Sequence, residues 1–123
     1  MSGRNQKLVL IVEDEAVAAL ALEDLIEKMG YRVCGPVSSG EEALKEAAGE
    51  KPDLVLMDIH INGEMGGLEA ASRLSARNIP VIFTTGYYDA EMKKKAAEIK
   101  PVAYLVKPLD HEQLRAIICE VFK

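Results

Sequence analysis

Residues 54–58 are Leu54-Val55-Leu56-Met57-Asp58, a run of four apolar side chains that ends on a carboxylate. An apolar run of this length, opened by Pro52-Asp53, is typical of a buried strand in a parallel sheet. A second run, Leu8-Val9-Leu10-Ile11-Val12, also ends on acids, Glu13 and Asp14. Two buried strands that both stop on carboxylates predict that these carboxylates lie at one edge of one sheet.

Two further apolar runs end on groups suited to the same site. Val81-Ile82-Phe83 leads to Thr85, and the run from Val102 to Val106 is followed by Lys107-Pro108. Grouped carboxylates repel each other unless a cation lies between them, and ligands that are all oxygens favour Mg²⁺, with Mn²⁺ as a substitute. An acid pair, a single Asp, a hydroxyl and a lysine at strand ends therefore predict a site that handles a phosphoryl group.

Helical patterns alternate with these strands along the chain. The predicted strands cover residues 8–13, 31–37, 52–58, 81–85 and 102–106, and the predicted helices cover 15–29, 39–46, 68–77, 89–99 and 111–122. Strands joined by helices of this length predict right-handed crossovers and a doubly wound parallel sheet with helices on both faces. The ligand of such a sheet lies at the carboxyl ends of its strands. We expect one domain, residues 8–123, behind a polar lead-in at residues 1–7.

Two local patterns make specific predictions about helices. The first helix has apolar residues at three- and four-residue steps that predict its inward stripe: Ala18, Ala21, Leu22, Leu25 and Met29. Four uncharged residues lie largely off that stripe, and we interpret them as a docking patch for a phosphodonor: Ala16, Val17, Ala19 and Leu20. Ser39, with Glu42 three residues later, predicts a capping box at the second helix.

Composition narrows the function classes. The chain has 123 residues, 49% of them hydrophobic, and a net charge of −5, which favours a folded soluble domain over a disordered or nucleic-acid-binding segment. No apolar run is long enough to span a bilayer, so we expect no membrane partner. Cys34 and Cys119 fit no metal or disulfide spacing, and we expect both to be small core residues of a reduced, cytoplasmic protein.

Four segments together resemble the receiver domain of two-component response regulators: Val12-Glu13-Asp14-Glu15, Asp53-Leu54-Val55-Leu56-Met57-Asp58, Pro80-Val81-Ile82-Phe83-Thr84-Thr85-Gly86 and Tyr104-Leu105-Val106-Lys107-Pro108. The resemblance covers essentially the whole chain. It implies a flavodoxin-like, five-stranded parallel sheet of order 2-1-3-4-5. It also implies a phosphorelay function, in which a sensor histidine kinase or a histidine phosphotransfer protein is the donor.

The resemblance assigns roles to the residues around the carboxylates. Asp58 would be the phosphoacceptor and would receive the phosphoryl group from a phosphohistidine. Asp14, Asp58 and the backbone carbonyl of His60 would ligate Mg²⁺, and Glu13 would act through water. Lys107 would pair with the phosphoryl oxygens, and the bond between Lys107 and Pro108 would be cis.

The family resemblance also implies a switch. Thr85 would move to bond the phosphoryl group, and Tyr104 would swing from an outward to a buried position. These movements would change the face formed by the fourth helix, the fifth strand and the fifth helix, which includes Lys93-Lys94-Lys95. A downstream partner or a fused output domain would read this face, and the domain would promote its own phosphorylation and slow dephosphorylation without being a conventional enzyme.

His60 and Tyr87 depart from common family residues at positions that flank the path of a hydrolytic water. Tyr87 is bulky enough to shield the acyl phosphate, whereas His60 as a general base would speed its loss. Two other functions stay open. A Mg²⁺-dependent phosphohydrolase of the haloacid-dehalogenase type needs an acid at position 60, where the chain has His60. A phosphorylation-independent interaction module usually lacks an acid or the lysine, and this chain has both.

Overall fold

The computed structural model describes residues 6–61 and 63–123, where five strands alternate with five helices. The first five residues of the predicted polar lead-in lie outside the described residues. The strands are β1 (Leu8–Val12), β2 (Arg32–Val37), β3 (Leu54–Asp58), β4 (Val81–Thr85) and β5 (Ala103–Val106). The helices are α1 (Ala16–Lys28), α2 (Gly40–Glu50), α3 (Gly67–Ala76), α4 (Ala90–Ala97) and α5 (His111–Val121).

The strands form one parallel sheet in the order β2-β1-β3-β4-β5. The predicted fold class and strand order are therefore confirmed. β2 lies at one edge, as Pro36 predicts for a strand residue without an N–H donor. None of the helices in residues 6–61 and 63–123 has the length and apolar character needed to cross a membrane.

The central strands are buried because helices cover both faces of the sheet. Successive strand side chains point to opposite faces. On one face, Met57 and Phe83 pack with α2, α3 and α4, while on the other, Leu56 and Ile82 pack with α1 and α5. This burial on both sides explains why β1, β3 and β4 are apolar throughout until their last residues.

The ends of several elements differ from the prediction. β1 ends at Val12, so Glu13 lies just beyond it, and α2 continues to Glu50 rather than stopping at residue 46. Ser39 caps α2, since its hydroxyl accepts a hydrogen bond from the backbone N–H of Glu42 at 3.1 Å. The Glu42 carboxylate, however, bonds Ser38 and not Ser39. The predicted capping box is therefore displaced by one residue.

The inward face of α1 is also partly different from the predicted stripe. Its fully buried residues are Ala19, Leu22 and Ile26, whereas Ala21 is exposed. These three residues are spaced by three and four positions, so they lie on one face of the helix. The buried face is therefore shifted by about one residue from the predicted stripe. Ala19 therefore does not belong to the exposed patch.

The structure separates the two cysteines and confirms the predicted cis bond. Cys34 is buried in β2, as predicted, but Cys119 is exposed on α5, so the prediction that it is a core residue was wrong. α5 buries the stripe of Leu114 and Ile118, and Cys119 comes directly after that stripe. The bond between Lys107 and Pro108 is cis.

Candidate functional site

Four neighbouring strands bring their carboxyl ends to one place. Asp58 is the last residue of β3 and Thr85 is the last residue of β4, while Glu13 and Lys107 follow β1 and β5 directly. The parallel register places Asp58 beside Thr84. All four functional groups predicted from strand ends are therefore at the same edge of the sheet, as expected for parallel strands.

Three carboxylates form a cluster at this edge. Glu13, Asp14 and Asp58 each have a carboxylate oxygen within 4.8 Å of the others. The side chains of Glu13 and Asp58 are only 1% and 8% exposed, so water screens the repulsion between their charges only weakly. This donor set, all oxygen and carrying up to three negative charges, fits Mg²⁺ or Mn²⁺.

Lys107 neutralises part of this negative charge. Its Nζ atom lies 2.6 Å from Oε1 of Glu13 and 3.3 Å from Oδ2 of Asp58. Burial alone would lower the pKa of Lys107, but the hydrogen bond to Glu13 and the charges of both carboxylates outweigh it and raise that pKa. Burial raises the pKa of Glu13, and the hydrogen bond from Lys107 opposes this.

The second oxygen of Asp58 is positioned by the loop that follows β3. The backbone N–H of His60 donates a hydrogen bond to Oδ1 of Asp58 at 2.9 Å. Oδ2 faces Lys107, so both oxygens of this carboxylate have a donor. Gly67, the first residue of α3, packs so closely that a Cβ atom there would lie 2.6 Å from the Asp58 carbonyl oxygen. The sequence gives no signal of this contact, which only the folded backbone shows.

Thr85 is bonded to its own loop and not to the acidic cluster. Its Oγ1 atom donates to the carbonyl of Tyr87 at 3.0 Å and is fully buried. Asp58 lies on the neighbouring strand, so the hydroxyl is close to the cluster without contacting it. This arrangement suits a hydroxyl that changes partner when a new acceptor forms.

The ring of Tyr104 is partly buried, and its hydroxyl points inward. Its ring lies against Phe83, with centroids 6.3 Å apart, and its hydroxyl is buried without a hydrogen-bond partner among the described residues. Burial raises the pKa of Tyr104. The ring therefore covers the apolar surface of Phe83, and the swing of Tyr104 on phosphorylation stays a prediction. The sequence analysis did not consider Phe83 as a partner of Tyr104.

Comparison with known proteins identifies the family. Residues 9–119 match the model of the response regulator receiver domain. The chain belongs to this family of receiver domains. Its relatives include the sporulation initiation phosphotransferase F of Bacillus subtilis, 34% identical over 90% of this chain and 89% of that protein. The receiver domain of a modulated diguanylate cyclase from Desulfovibrio desulfuricans has a TM-score of 0.89, with 39% identity over 95% of this chain and 94% of that one.

Other relatives are longer than this receiver domain. The transcriptional regulatory protein PdtaR of Mycobacterium tuberculosis is 35% identical over 86% of this chain but only 52% of its own length. The positive alginate biosynthesis regulatory protein of Pseudomonas aeruginosa is 44% identical over 43% of its length. The chain thus spans about half or less of these relatives, and receiver domains occur in proteins of different total length.

Proposed function

We propose that this receiver domain accepts a phosphoryl group on Asp58 from a phosphohistidine of a partner protein. An oxygen of the Asp58 carboxylate attacks phosphorus, the P–N bond breaks, and the departing imidazole nitrogen keeps the electron pair and takes up a proton. The observation that carries this proposal is the position of Lys107, whose ammonium lies 3.3 Å from Oδ2 of Asp58. A cation at this place can stabilise the negative charge of the transferred oxygens.

Magnesium is the cation that the three carboxylates would hold. We propose that Asp14, Asp58 and the backbone carbonyl of His60 bind it directly and that Glu13 acts through water. When bound, Mg²⁺ would neutralise charge on the incoming phosphoryl group. Lys107 would then be free to turn from Glu13 to the phosphoryl oxygens, since it already contacts both carboxylates.

The phosphodonor would dock on α1 beside the site. Val17 is 75% exposed and Leu20 is 63% exposed, although both are apolar. An apolar cleft of about 290 Å³ runs from α1 to the loop after β5, and Glu13 and Lys107 line it. An exposed apolar surface that adjoins the reactive carboxylate suits a helical protein that carries the phosphohistidine. The donor would be a sensor histidine kinase or a histidine phosphotransfer protein, and a cytoplasmic location stays a prediction.

This docking surface is tested by one matched pair of variants. Leu20→Glu should slow transfer from a purified phosphohistidine partner at least tenfold and leave labelling by acetyl phosphate intact. Val102→Glu makes the same chemical change at an exposed residue at the other end of the sheet and should alter neither reaction. Equal slowing of both reactions by Leu20→Glu would show that the patch does not bind the donor.

The output would come from the face formed by α4, β5 and α5. A phosphoryl group adds a charge of about −1.5 to −2 and three strong acceptors at Asp58. Thr85 would then exchange the Tyr87 carbonyl for a phosphoryl oxygen, which would move the loop before α4. A downstream partner or a fused output domain would read this change. Chemical-shift changes on adding beryllofluoride should concentrate on α4, β5 and α5, and changes limited to the loop around Asp58 would contradict the scheme.

Phosphorylation itself is tested by intact mass after incubation with acetyl phosphate and Mg²⁺. The parent should gain ~80 Da, the mass of one phosphoryl group. Asp58→Asn should remove this adduct, as should a chelator, while Asp24→Asn on the exposed side of α1 should keep it. Absence of the adduct in the parent would support a phosphorylation-independent interaction module.

A turnover assay with small phosphomonoesters separates the receiver from a phosphohydrolase. A haloacid-dehalogenase-type enzyme needs an acid two residues after its nucleophile to protonate the leaving group. Position 60 is His60, and its ring stacks on Tyr87. We therefore expect one phosphorylation per Asp58 and no repeated turnover of small phosphomonoesters, and sustained release of phosphate would favour the hydrolase.

A further inference from the structure

Lys93 of α4 lies between two tyrosine rings. Its Nζ atom is 5.7 Å from the ring centroid of Tyr88 and 6.0 Å from that of Tyr104. Both distances are within the range at which an ammonium is attracted to the face of an aromatic ring. Lys94 and Lys95, the other members of the basic run, make no such contact among the described residues.

The ammonium of Lys93 has no ion-pair partner in the part of the chain that the structure describes. Within residues 6–61 and 63–123, no carboxylate lies within ion-pair distance of Lys93. Asp89, the residue that caps α4, is occupied by the helix, because its carboxylate accepts hydrogen bonds from the backbone N–H groups of Glu91 and Met92. The two rings are therefore the interaction partners that the structure gives to this charge.

The inward position of Tyr104 needs such a contact. The buried hydroxyl of Tyr104 makes no hydrogen bond of good geometry among the described residues, although the Thr85 side chain is near enough to oppose the rise in pKa that burial causes, and a poorly bonded buried hydroxyl is unfavourable. Packing against Phe83 favours the inward ring, and the charge of Lys93 on its face adds to that stabilisation. An outward ring would regain water at the hydroxyl but lose both contacts.

Lys93 also connects Tyr104 to the loop that responds to the acidic site. Tyr88 follows Tyr87, whose carbonyl accepts the hydrogen bond of Thr85. The loop is thus attached at one end to Thr85 and, through Tyr88 and Lys93, to the ring on β5. A movement of Thr85 would reach Tyr104 through this set of contacts.

We propose that Lys93 is a positioning residue, which holds the ring of Tyr104 inward by placing its ammonium between Tyr88 and Tyr104. This inference rests on the proposed function, since it names a residue that holds the proposed switch residue Tyr104 in place. Its physical requirement is the positive charge at position 93. A neutral side chain there should release the ring, whereas another cation of similar length should hold it.

The test measures the position of Tyr104 by NMR in the unphosphorylated protein. Contacts between the ring protons of Tyr104 and Phe83, together with the χ1 populations of Tyr104, report the ratio of inward to outward rings. Lys93→Gln should lower this ratio about two- to fivefold, the effect of an exposed cation–π contact. Lys93→Arg should keep the parent ratio, because it retains the charge, and Lys94→Gln should not change it.

The inference is overturned if Lys93→Gln leaves the ring as in the parent, or if Lys93→Arg releases it as Gln does. An amide spectrum and a thermal unfolding curve for each variant exclude general loss of structure as the cause. The measurement requires no phosphoryl group, so its result does not depend on whether Asp58 can be phosphorylated. A parent protein that cannot be phosphorylated on Asp58 would refute the proposed function while leaving the Tyr104 result unchanged.

Discussion

The imidazole of His60 lies flat on the ring of Tyr87, with centroids 4.9 Å apart and ring planes 13° from parallel. The backbone of His60 bonds the carboxylate of Asp58, and the backbone of Tyr87 bonds the hydroxyl of Thr85. The stack therefore joins the two loops that position the Asp58 carboxylate and the Thr85 hydroxyl. Both side chains are exposed beside these two loops, and we expect a hydrolytic water to approach past them.

Removal of the Tyr87 ring should shorten the life of the acyl phosphate. In Tyr87→Ala, water gains access past His60, and we expect hydrolysis to speed up on the order of tenfold, equivalent to about 1.4 kcal/mol of barrier. Tyr87→Phe keeps the ring and should keep the parent rate. Decay of the phosphorylated protein, followed by intact mass after removal of the donor, gives both rates. Faster decay in the parent than in Tyr87→Ala would show that the ring does not shield the phosphoryl group.

The fold could be predicted from the sequence because the patterns that determine it are local and recur along the chain. Apolar runs such as Leu54–Asp58, with helices between them, predict a parallel sheet, and each such run leads to a polar residue of the candidate site. The face of α1 was less predictable. Alanines occur on both sides of that helix, so hydrophobicity did not distinguish Ala19, which is buried, from Ala21, which is exposed.

The parts of the site that sequence reasoning missed depend on distances between separate elements. The close approach of Gly67 to the carbonyl of Asp58 exists only once α3 has packed on β3. The ring of Tyr104 lies beside Phe83 from the neighbouring strand and Lys93 from α4. These contacts have no periodic signature in the chain, so residue types and spacing alone do not reveal them.

Gly67 should be intolerant of any side chain. A Cβ at this position would meet the backbone at Asp58 and Ile59 at 2.6–2.9 Å, and backbone atoms cannot rotate away as a flexible side chain does. We expect Gly67→Ala to destabilise the domain by about 1–3 kcal/mol, as overpacking does. Gly66→Ala is the matched control, since nothing lies within 4 Å of a Cβ there. Urea unfolding of both variants measures the difference, and equal stability would contradict the close approach.

Lys107 should stabilise the folded protein when no Mg²⁺ is bound. In a variant without this lysine, bound Mg²⁺ should supply much of the lost stabilisation. Lys107→Ala leaves Glu13 and Asp58 without their cation in a nearly buried position. We expect a loss of about 1–3 kcal/mol in a chelator, less than for a fully buried pair because Lys107 is partly exposed. Mg²⁺ should then raise the unfolding free energy of the variant more than that of the parent, because the uncompensated carboxylates attract the ion.

The control for this ion pair is Lys28 on the surface of α1. Lys28 pairs with Asp24 at 3.0 Å, but both side chains are more than half exposed. Lys28→Ala should change stability by no more than about 0.5 kcal/mol, and Mg²⁺ should not alter that difference. An equal response of Lys107→Ala and the parent to Mg²⁺ would argue that the carboxylates do not hold the ion.

The two cysteines should differ sharply in reactivity. Burial, with the nearby charges of Glu46 and Glu50, raises the pKa of Cys34 to about 12, and Cys119 is exposed. Because the thiolate is the reactive form, one thiol of the native protein should react with Ellman's reagent at pH 8 and two should react after unfolding. Cys119→Ser should remove the native reaction and Cys34→Ser should preserve it. Two fast thiols in the native parent would contradict the burial of Cys34.

The same pKa shift predicts how stability changes at alkaline pH. A thiol in the unfolded chain ionises near pH ~8.5, whereas folded Cys34 keeps its proton to about pH 12. Below the unfolded value both states carry the proton, so Cys34 contributes no pH dependence. Above it the unfolded state gains stability by ionising, and the unfolding free energy should fall as pH rises. Cys34→Ser should flatten this fall between pH 8.5 and 10 relative to the parent. Identical slopes of stability against pH in urea unfolding would show that the folded thiol ionises as readily as the unfolded one.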